Sequence, residues 1–419
     1  MPPTYYYVRA TNGADVAGQG TTHATAYKTP QFALNDIGAT HGRDAVLGDQ
    51  INICDTAVEG ANVLAASLTL ATYGVPAMGA PLILRGYTAV ANDGGRGEID
   101  CGGFTMWNVA TYDYVNCIDL ELHTFGDNYG IVLDQGFALI NCEIHRGASI
   151  PANKFLVFSN QGLIAGCYVH DAGALPSSSG QGIYAGSGII YCFNNFIENC
   201  LSSLYANNHW VILGNIIYAN AAGATGLTAN GNNILCSGNI VYNAAAGTGF
   251  GISAPGGFRY SGEYYNNIVA GFSGAGGRGM EVGGKATMMG YNAFYNNTTN
   301  VNVAGEIWND QRAHDVALAA DPFTNAAGGD FSLTAAAQAL LRSEGWPESY
   351  LGAATDPHIT IGVVQYGDVP VPCDYPLPGA VEAGIVYGSG ALTGTLVCPS
   401  GGGARPGCRW PDYKRRFDI

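Results

Sequence analysis

Residues 214–244 read GNIIYANAAGATGLTANGNNILCSGNIVYNA. The phrase Gly214-Asn215-Ile216-Ile217-Tyr218 returns 24 residues later as Gly238-Asn239-Ile240-Val241-Tyr242, with no charged residue in the stretch. Outward from this pair the asparagine recurs as Asn195, Asn215, Asn239, Asn267 and Asn292, at spacings of 20, 24, 28 and 25. Upstream the phrase weakens to Gly166-Cys167-Tyr168-Val169-His170, Asn141-Cys142-Glu143-Ile144-His145 and Asp119-Leu120-Glu121-Leu122-His123. A period of 20–50 residues means stacked units, each too small to bury its own apolar face. Apolar residues alternate within each phrase, which is the period of a strand. No unit holds a ten-residue amphipathic stretch, so helical and βα repeats are excluded. The reading is all-β: a right-handed parallel β-helix solenoid of ten to twelve coils, with equivalent residues about 4.8 Å apart.

This register carries further expectations. The recurring asparagine turns inward at a corner and bonds to its copies above and below. Asparagine tolerates the left-handed conformation such a corner needs, and Gly214 and Gly238 serve the same corner. The alternation is read as placing Ile216, Tyr218, Ile240 and Tyr242 inside, with Ile217 and Val241 facing out. Cys142 and Cys167 are expected to stack; Cys117 and Cys192 break the local phrase and are not expected to extend the column.

Composition agrees. Among 419 residues 47% are apolar, 12% are charged, 61 are glycine and four are lysine. Low charge with abundant Gly, Asn, Thr and Ser favours turns and strands over surface helices. Acidic residues outnumber basic ones 32 to 17, which argues against nucleic acid and polyanionic glycans as partners. The N-terminal residues MPPTYYYVRATNGAD lack a charged segment followed by an apolar one, so no signal peptide is expected. No apolar run is long enough for a membrane span. Of 11 cysteines, Cys117, Cys142, Cys167, Cys192 and Cys236 sit in apolar runs and read as reduced core residues; the redox state of Cys373, Cys398 and Cys408 stays open.

The chain divides into an N-terminal strand and cap helix (1–45), the β-helix (46–310), a C-terminal capping region (311–368) and an assembly arm or small module (369–419). Thr29 and Pro30 start the cap helix, whose Phe32, Ala33, Leu34 and Ile37 close the rod. A second helix is expected from Ala335 to Ser343, and a closing strand from Ile359 to Gln365. The arm is Pro/Gly-rich yet holds Ile385, Val386, Tyr387, Leu392, Leu396 and Trp410. That is too apolar for a solvated tail, so burial against another copy or another protein is expected.

Three passages besides the repeat carry a resemblance: YYYVR (5–9) with AYKT (26–29) and Gly48-Asp49; APLILRGYTA (80–89) with Ile99-Asp100; and DPFTNAAGGDFSL (321–333) with GWP (345–347) and IGVVQYGD (361–368). Over residues 5–368 the chain resembles the pectate-lyase-like superfamily of parallel β-helix proteins, and most of all its phage and environmental virion members. AVEAGIVYGSGALTGTL (380–396) resembles a short module of phage structural proteins. The resemblance implies the fold; it does not fix an activity.

Active members of that superfamily use outward carboxylates, which points to Asp119, Glu121, Asp134, Glu143 and Asp171 as candidates. Glu121 and Glu143 would face outward from adjacent coils as a carboxylate pair or weak calcium site, or as solvated surface positions. Arg146, Lys154, Arg259, Arg278 and Lys285 fall in no repeated column. His123, His145 and His170 would stack as a surface ladder, and no metal is expected there. No catalytic residue, cofactor site or metal site is assigned. The leading expectation is a non-enzymatic virion structural or recognition protein: a tail spike, fibre or capsid decoration, made in the host cytoplasm. Its expected partners are other virion proteins, further copies (a trimer favoured) and a host surface glycan, with neither nucleic acid nor membrane. The alternatives are a polysaccharide-cleaving lyase or hydrolase and an extracellular bacterial adhesin.

Overall fold

The computed structural model describes residues 4–345, apart from 42–47, 75, 78–79, 108–113, 126–128, 134, 147–154, 173–179, 186–187, 208, 256–261 and 342–343. Asp134, Lys154, Arg259, the closing strand at 359–365 and the arm with Cys373, Cys398 and Cys408 lie outside these residues. No helix among the described residues is long and apolar enough to cross a membrane.

The chain is a parallel β-helix. Successive strands visit three parallel sheets in turn: Ile216–Ala219 in the second, Thr225–Ala229 in the third, Ile234–Ser237 in the first, then Ile240–Asn243 back in the second. Ile216 pairs with Ile240, Ile217 with Val241 and Tyr218 with Tyr242, so the 24-residue repeat is one coil. Among the described residues the first and second sheets have twelve and eleven strands but the third only eight. Three-sided coils among them are therefore fewer than the ten to twelve the repeat implies. On the third side the early coils carry an isolated bridge, Leu68–Trp107, in place of a strand.

The five asparagines form the expected inward column, each at most 1% exposed. Asn195, Asn215, Asn239 and Asn267 each donate Nδ2 to Oδ1 of the next asparagine, at 2.9–3.0 Å. Each of these also donates its backbone N–H to that same oxygen. A buried amide unsatisfied here would cost about 1–3 kcal/mol, so the full pairing is what makes the column tolerable. The corner geometry bears out Gly214 and Gly238 but takes the left-handed conformation off the ladder asparagines themselves. The left-handed backbone sits on Asn194, Gly214, Gly238, Asn266 and Tyr291, immediately before each ladder asparagine. Upstream, Asp119, Asn141 and Gly166 hold that position. Cys142 and Cys167 therefore occupy the ladder slot itself, stacked below Asn195, whose Oδ1 accepts the Cys167 N–H at 2.9 Å. Cys117 and Cys192 lie in the first sheet instead. All eight described cysteines are free and buried.

The facing of the second sheet is the reverse of the expectation. Ile217 and Val241 are fully buried in the interior core, with Ile197 and Val269. Ile216, Tyr218, Ile240 and Tyr242 lie on the outer flank. There a C-terminal hairpin, Phe323–Asn325 with Asp330–Leu333, and the helix Ala335–Leu341 cover them. Phe331 packs edge-on against Tyr218 at 5.7 Å and Tyr242 at 5.9 Å. With both faces apolar, the alternation had no solvent side to mark.

At the N-terminus, Thr4–Val8 pairs with Asp49–Cys54 as the first strand of the first sheet. The helix Pro30–Asp36 starts where expected: Thr29 Oγ1 accepts the Phe32 N–H, and Ala33, Leu34 and Ile37 are wholly buried. Glu59 ties this end together. It accepts from Arg9 Nε at 3.0 Å, Asn12 N at 2.9 Å and Asn12 Nδ2 at 2.9 Å. Burial works against its charge, but the Asn12 and Arg9 bonds outweigh it and hold the carboxyl at about 2. A lowered acid stabilises the fold above its unfolded pKa, near 4.5, and loses that contribution as pH falls toward 2. Glu59→Gln should therefore cost about 2–3 kcal/mol at neutral pH. In thermal melts the gap from the wild-type chain should close between about pH 4.5 and 2; a gap constant with pH would contradict this account.

Candidate functional site

Toward its N-terminal end the outer flank of the second sheet changes character. Glu98, Glu121 and Glu143 are register partners on successive coils. Two residues along each strand lie Asp100, His123 and His145, and His145 is paired with His170. Period two puts both columns on one face. The expected histidine ladder is present: His123 stacks on His145 at 5.1 Å, and His145 on His170 at 4.7 Å. The stack continues through Tyr168, 4.1 Å from His170, to Phe196 at 5.4 Å.

Each imidazole faces the glutamate of the preceding coil. His123 Nε2 lies 2.7 Å from Glu98 Oε1, His145 Nε2 lies 3.2 Å from Glu121 Oε1, and His170 Nε2 lies 3.2 Å from Glu143 Oε1. On the far ring face, Tyr168 Oη donates to Glu198 at 2.6 Å, and burial with this bond pushes the phenol's pKa up. These groups are only partly exposed, from 13% at His170 to 31% at Glu121.

Of the carboxylates singled out from sequence, Glu121 and Glu143 join this strip as adjacent register partners. Asp119 sits at the corner, where Arg85 donates Nη2 at 3.0 Å and Asn141 donates Nδ2 at 2.7 Å. Asp171 lies beside His170, its Oδ2 3.0 Å from Nδ1. Arg278 is elsewhere, paired with Glu281. The sequence reading missed Glu98, Arg85 and Arg96. Arg96 donates Nη1 to Glu143 Oε2 at 2.6 Å. Asp93 shapes the loop before it, accepting N–H groups from Thr88, Ala89, Val90 and Gly95 at 2.6–3.2 Å. Burial opposes that charge, yet the backbone donors hold its pKa at about 2. An aspartate five residues after a threonine, in a Gly-rich turn, was the available signal.

Among the described residues, two three-residue groups place potential ligand atoms within 4.8 Å of one another: Glu98, Glu121 and His123; and Glu143, His145 and His170.

No family model matches the chain, and no curated protein does. Five solved chains match in structure. One is pectate lyase Pel9A, with a TM-score of 0.49 and 12% identity, covering 87% of this chain and 97% of that one. Another is the GH136 lacto-N-biosidase of Eubacterium ramulus, with a TM-score of 0.40 and 13% identity, covering 75% of this chain and 68% of that one.

Proposed function

We propose that the protein is a non-enzymatic recognition rod of a phage particle, a tail spike, fibre or capsid decoration, and that it binds an extended host glycan along the outer flank of its second sheet. The observation that carries the binding reading is the strip of Glu98, Glu121, Glu143, His123, His145 and His170 continuing into the ring of Tyr168. Coils repeat about every 4.8 Å, so an extended polymer would meet the same groups again along its length. Carboxylates and imidazoles bond sugar hydroxyls, while the edges of the stacked rings offer apolar contact beside them. The particle setting rests on the resemblance of residues 321–333, 361–368 and 380–396 to virion proteins. Other virion proteins and further copies of the chain, a trimer first, are the partners in this reading, with residues 369–419 as the docking arm.

Binding is favoured over cleavage because glycoside hydrolysis needs one carboxyl protonated and another ionised, in unlike surroundings. Here each glutamate meets the imidazole of the following coil, and Glu143 differs by its pairing with Arg96. One observation favours the second reading: the Glu98 and Glu121 oxygens approach within 4.8 Å, close to the spacing of retaining enzymes, about 5–5.5 Å.

The test is a panel of bacterial surface polysaccharides presented to the purified chain. Binding to at least one member is expected, weakened tenfold or more by Glu121→Ala combined with Tyr168→Ala, with no new reducing ends and no unsaturated sugar. Product release would establish the enzymatic reading instead. Binding that ignores both substitutions would remove the strip from the account.

A further inference from the structure

We propose that Glu143, His145 and His170 form a site for one divalent transition-metal ion of the zinc class. This goes beyond the glycan reading and does not depend on it. Glu143 and His145 share a strand and a face, and His170 is the register partner of His145 on the next coil. Their ligand atoms all lie within 4.8 Å of one another.

The decisive detail is at His170. Nδ1 lies 3.0 Å from Asp171 Oδ2, and Nε2 lies 3.2 Å from Glu143 Oε1. Carboxylate oxygens only accept, and a neutral imidazole has one N–H. A neutral ring therefore satisfies only one of the two contacts, and the other calls for a cation: a second proton or a metal ion. We place a metal ion against Nε2 and Glu143 Oε1, which lie 3.2 Å apart. Nδ1–H then donates to Asp171, the outer carboxylate arrangement of metal-bound histidine. Arg96 already occupies the other oxygen of Glu143, leaving Oε1 as the ligand atom.

The spacing fits. Bonds of about 2.0–2.1 Å in a tetrahedral shell put ligand atoms about 3.3 Å apart, and Glu143 Oε1 and His170 Nε2 are already 3.2 Å apart. His145, whose ligand atom lies within 4.8 Å of the other two, would have to turn out of its stack to reach the ion. Two imidazoles and one carboxylate, with a position left open, suit zinc, cobalt or nickel; calcium and magnesium prefer oxygen-only shells. The second group makes no such call for a cation. The Thr124 hydroxyl lies 2.6 Å from His123 Nδ1 and can donate to it, so Nε2–H bonds Glu98 without a cation.

The test uses the full chain, freed of metal by chelator and carrying Cys373, Cys398 and Cys408 as serine so that thiols do not compete. Calorimetric titration with Zn²⁺ should show one ion bound per chain, with a rise in melting temperature because the ion ties two coils together. Ca²⁺ and Mg²⁺ at the same concentration should do neither. Co²⁺ should give a visible spectrum without thiolate charge transfer. His145→Gln and His170→Gln should each weaken zinc binding tenfold or more, and Asp171→Asn about tenfold as an outer partner. Glu98→Gln should leave it unchanged. Melts without metal check that every variant folds. Absence of stoichiometric zinc on the folded parent, or equal affinity in the double histidine variant, overturns the site.

Discussion

Asn239→Ala should destabilise the chain by roughly 4 kcal/mol or more. Its Nδ2 donates to Ile212 O at 3.0 Å, Ser237 O at 3.1 Å and Asn267 Oδ1 at 3.0 Å. Its Oδ1 accepts from Asn215 N at 2.9 Å and Nδ2 at 3.0 Å. Alanine leaves the Asn215 N–H and the Ile212 carbonyl without these partners, in a site that is 0% exposed. Each orphaned group costs about 1–3 kcal/mol, and the lost amide adds a cavity. Asn239→Leu fills the volume but orphans the same groups, so it should not recover the loss. Melting curves at one fixed scan rate, or midpoints in denaturant, measure this. If the leucine variant melts like the wild-type chain, volume rather than the amide column holds the corner.

The ladder was legible because its constraint is chemical. An inward amide that must find both donors and acceptors on adjacent coils admits few substitutes, so asparagine recurs wherever the slot is filled this way. Where the slot is filled by Cys142 and Cys167 the signal weakened, since a small buried thiol answers mainly to packing. The left-handed conformation was read onto the ladder asparagines as well because Gly214 and Gly238 travel with them, while Asn194, Asn266 and Tyr291 hold the same backbone without glycine. The facing of Ile216 and Ile217 was not legible from the phrase alone. What decides it is Phe331, more than a hundred residues further on, which makes the outer flank apolar as well.

The site divides the same way. Glu121, Glu143 and the three histidines fall inside the repeated phrase, so their columns followed from register. Glu98 lies in a strand, Gly97–Asp100, that carries no ladder phrase. Arg96 reaches Glu143 across 47 residues of sequence, from a loop gathered on Asp93. Tertiary placement of a loop has no period to betray it. The stacking of His145 on His170 could be expected from spacing, but the bond from His170 to Glu143 of the preceding coil required the strand pairing.

Asp315→Asn should stabilise the chain at neutral pH and remove a pH dependence that the wild-type protein shows between about pH 4 and 6. Val316 pairs with Ala293, so Asp315 stands in the slot that follows Asn292 and ends the ladder. Its Oδ1 accepts the Asn292 N–H at 2.9 Å. Burial pushes the carboxyl up from 3.8 to about 6, against the opposing pull of the Asn292 bonds and Arg312. An acid whose folded pKa is raised stabilises the fold fully below its unfolded pKa and loses that contribution as pH rises through the folded one. From this group the wild-type chain should lose on the order of 2 kcal/mol between pH 4 and 6, allowing for its partial exposure. Asparagine keeps the oxygen that Asn292 needs and carries no charge at any pH. Its Nδ2 gains the pattern of the preceding rungs, each bonding the carbonyl two residues earlier, as Asn239 bonds Ser237 and Asn292 bonds Gly290. Melting temperatures of the two proteins should therefore meet near pH 4 and separate up to about pH 6, with the variant higher. A variant that melts lower at pH 7 would mean that the ladder ends on a stabilising charge, and that burial does not govern Asp315.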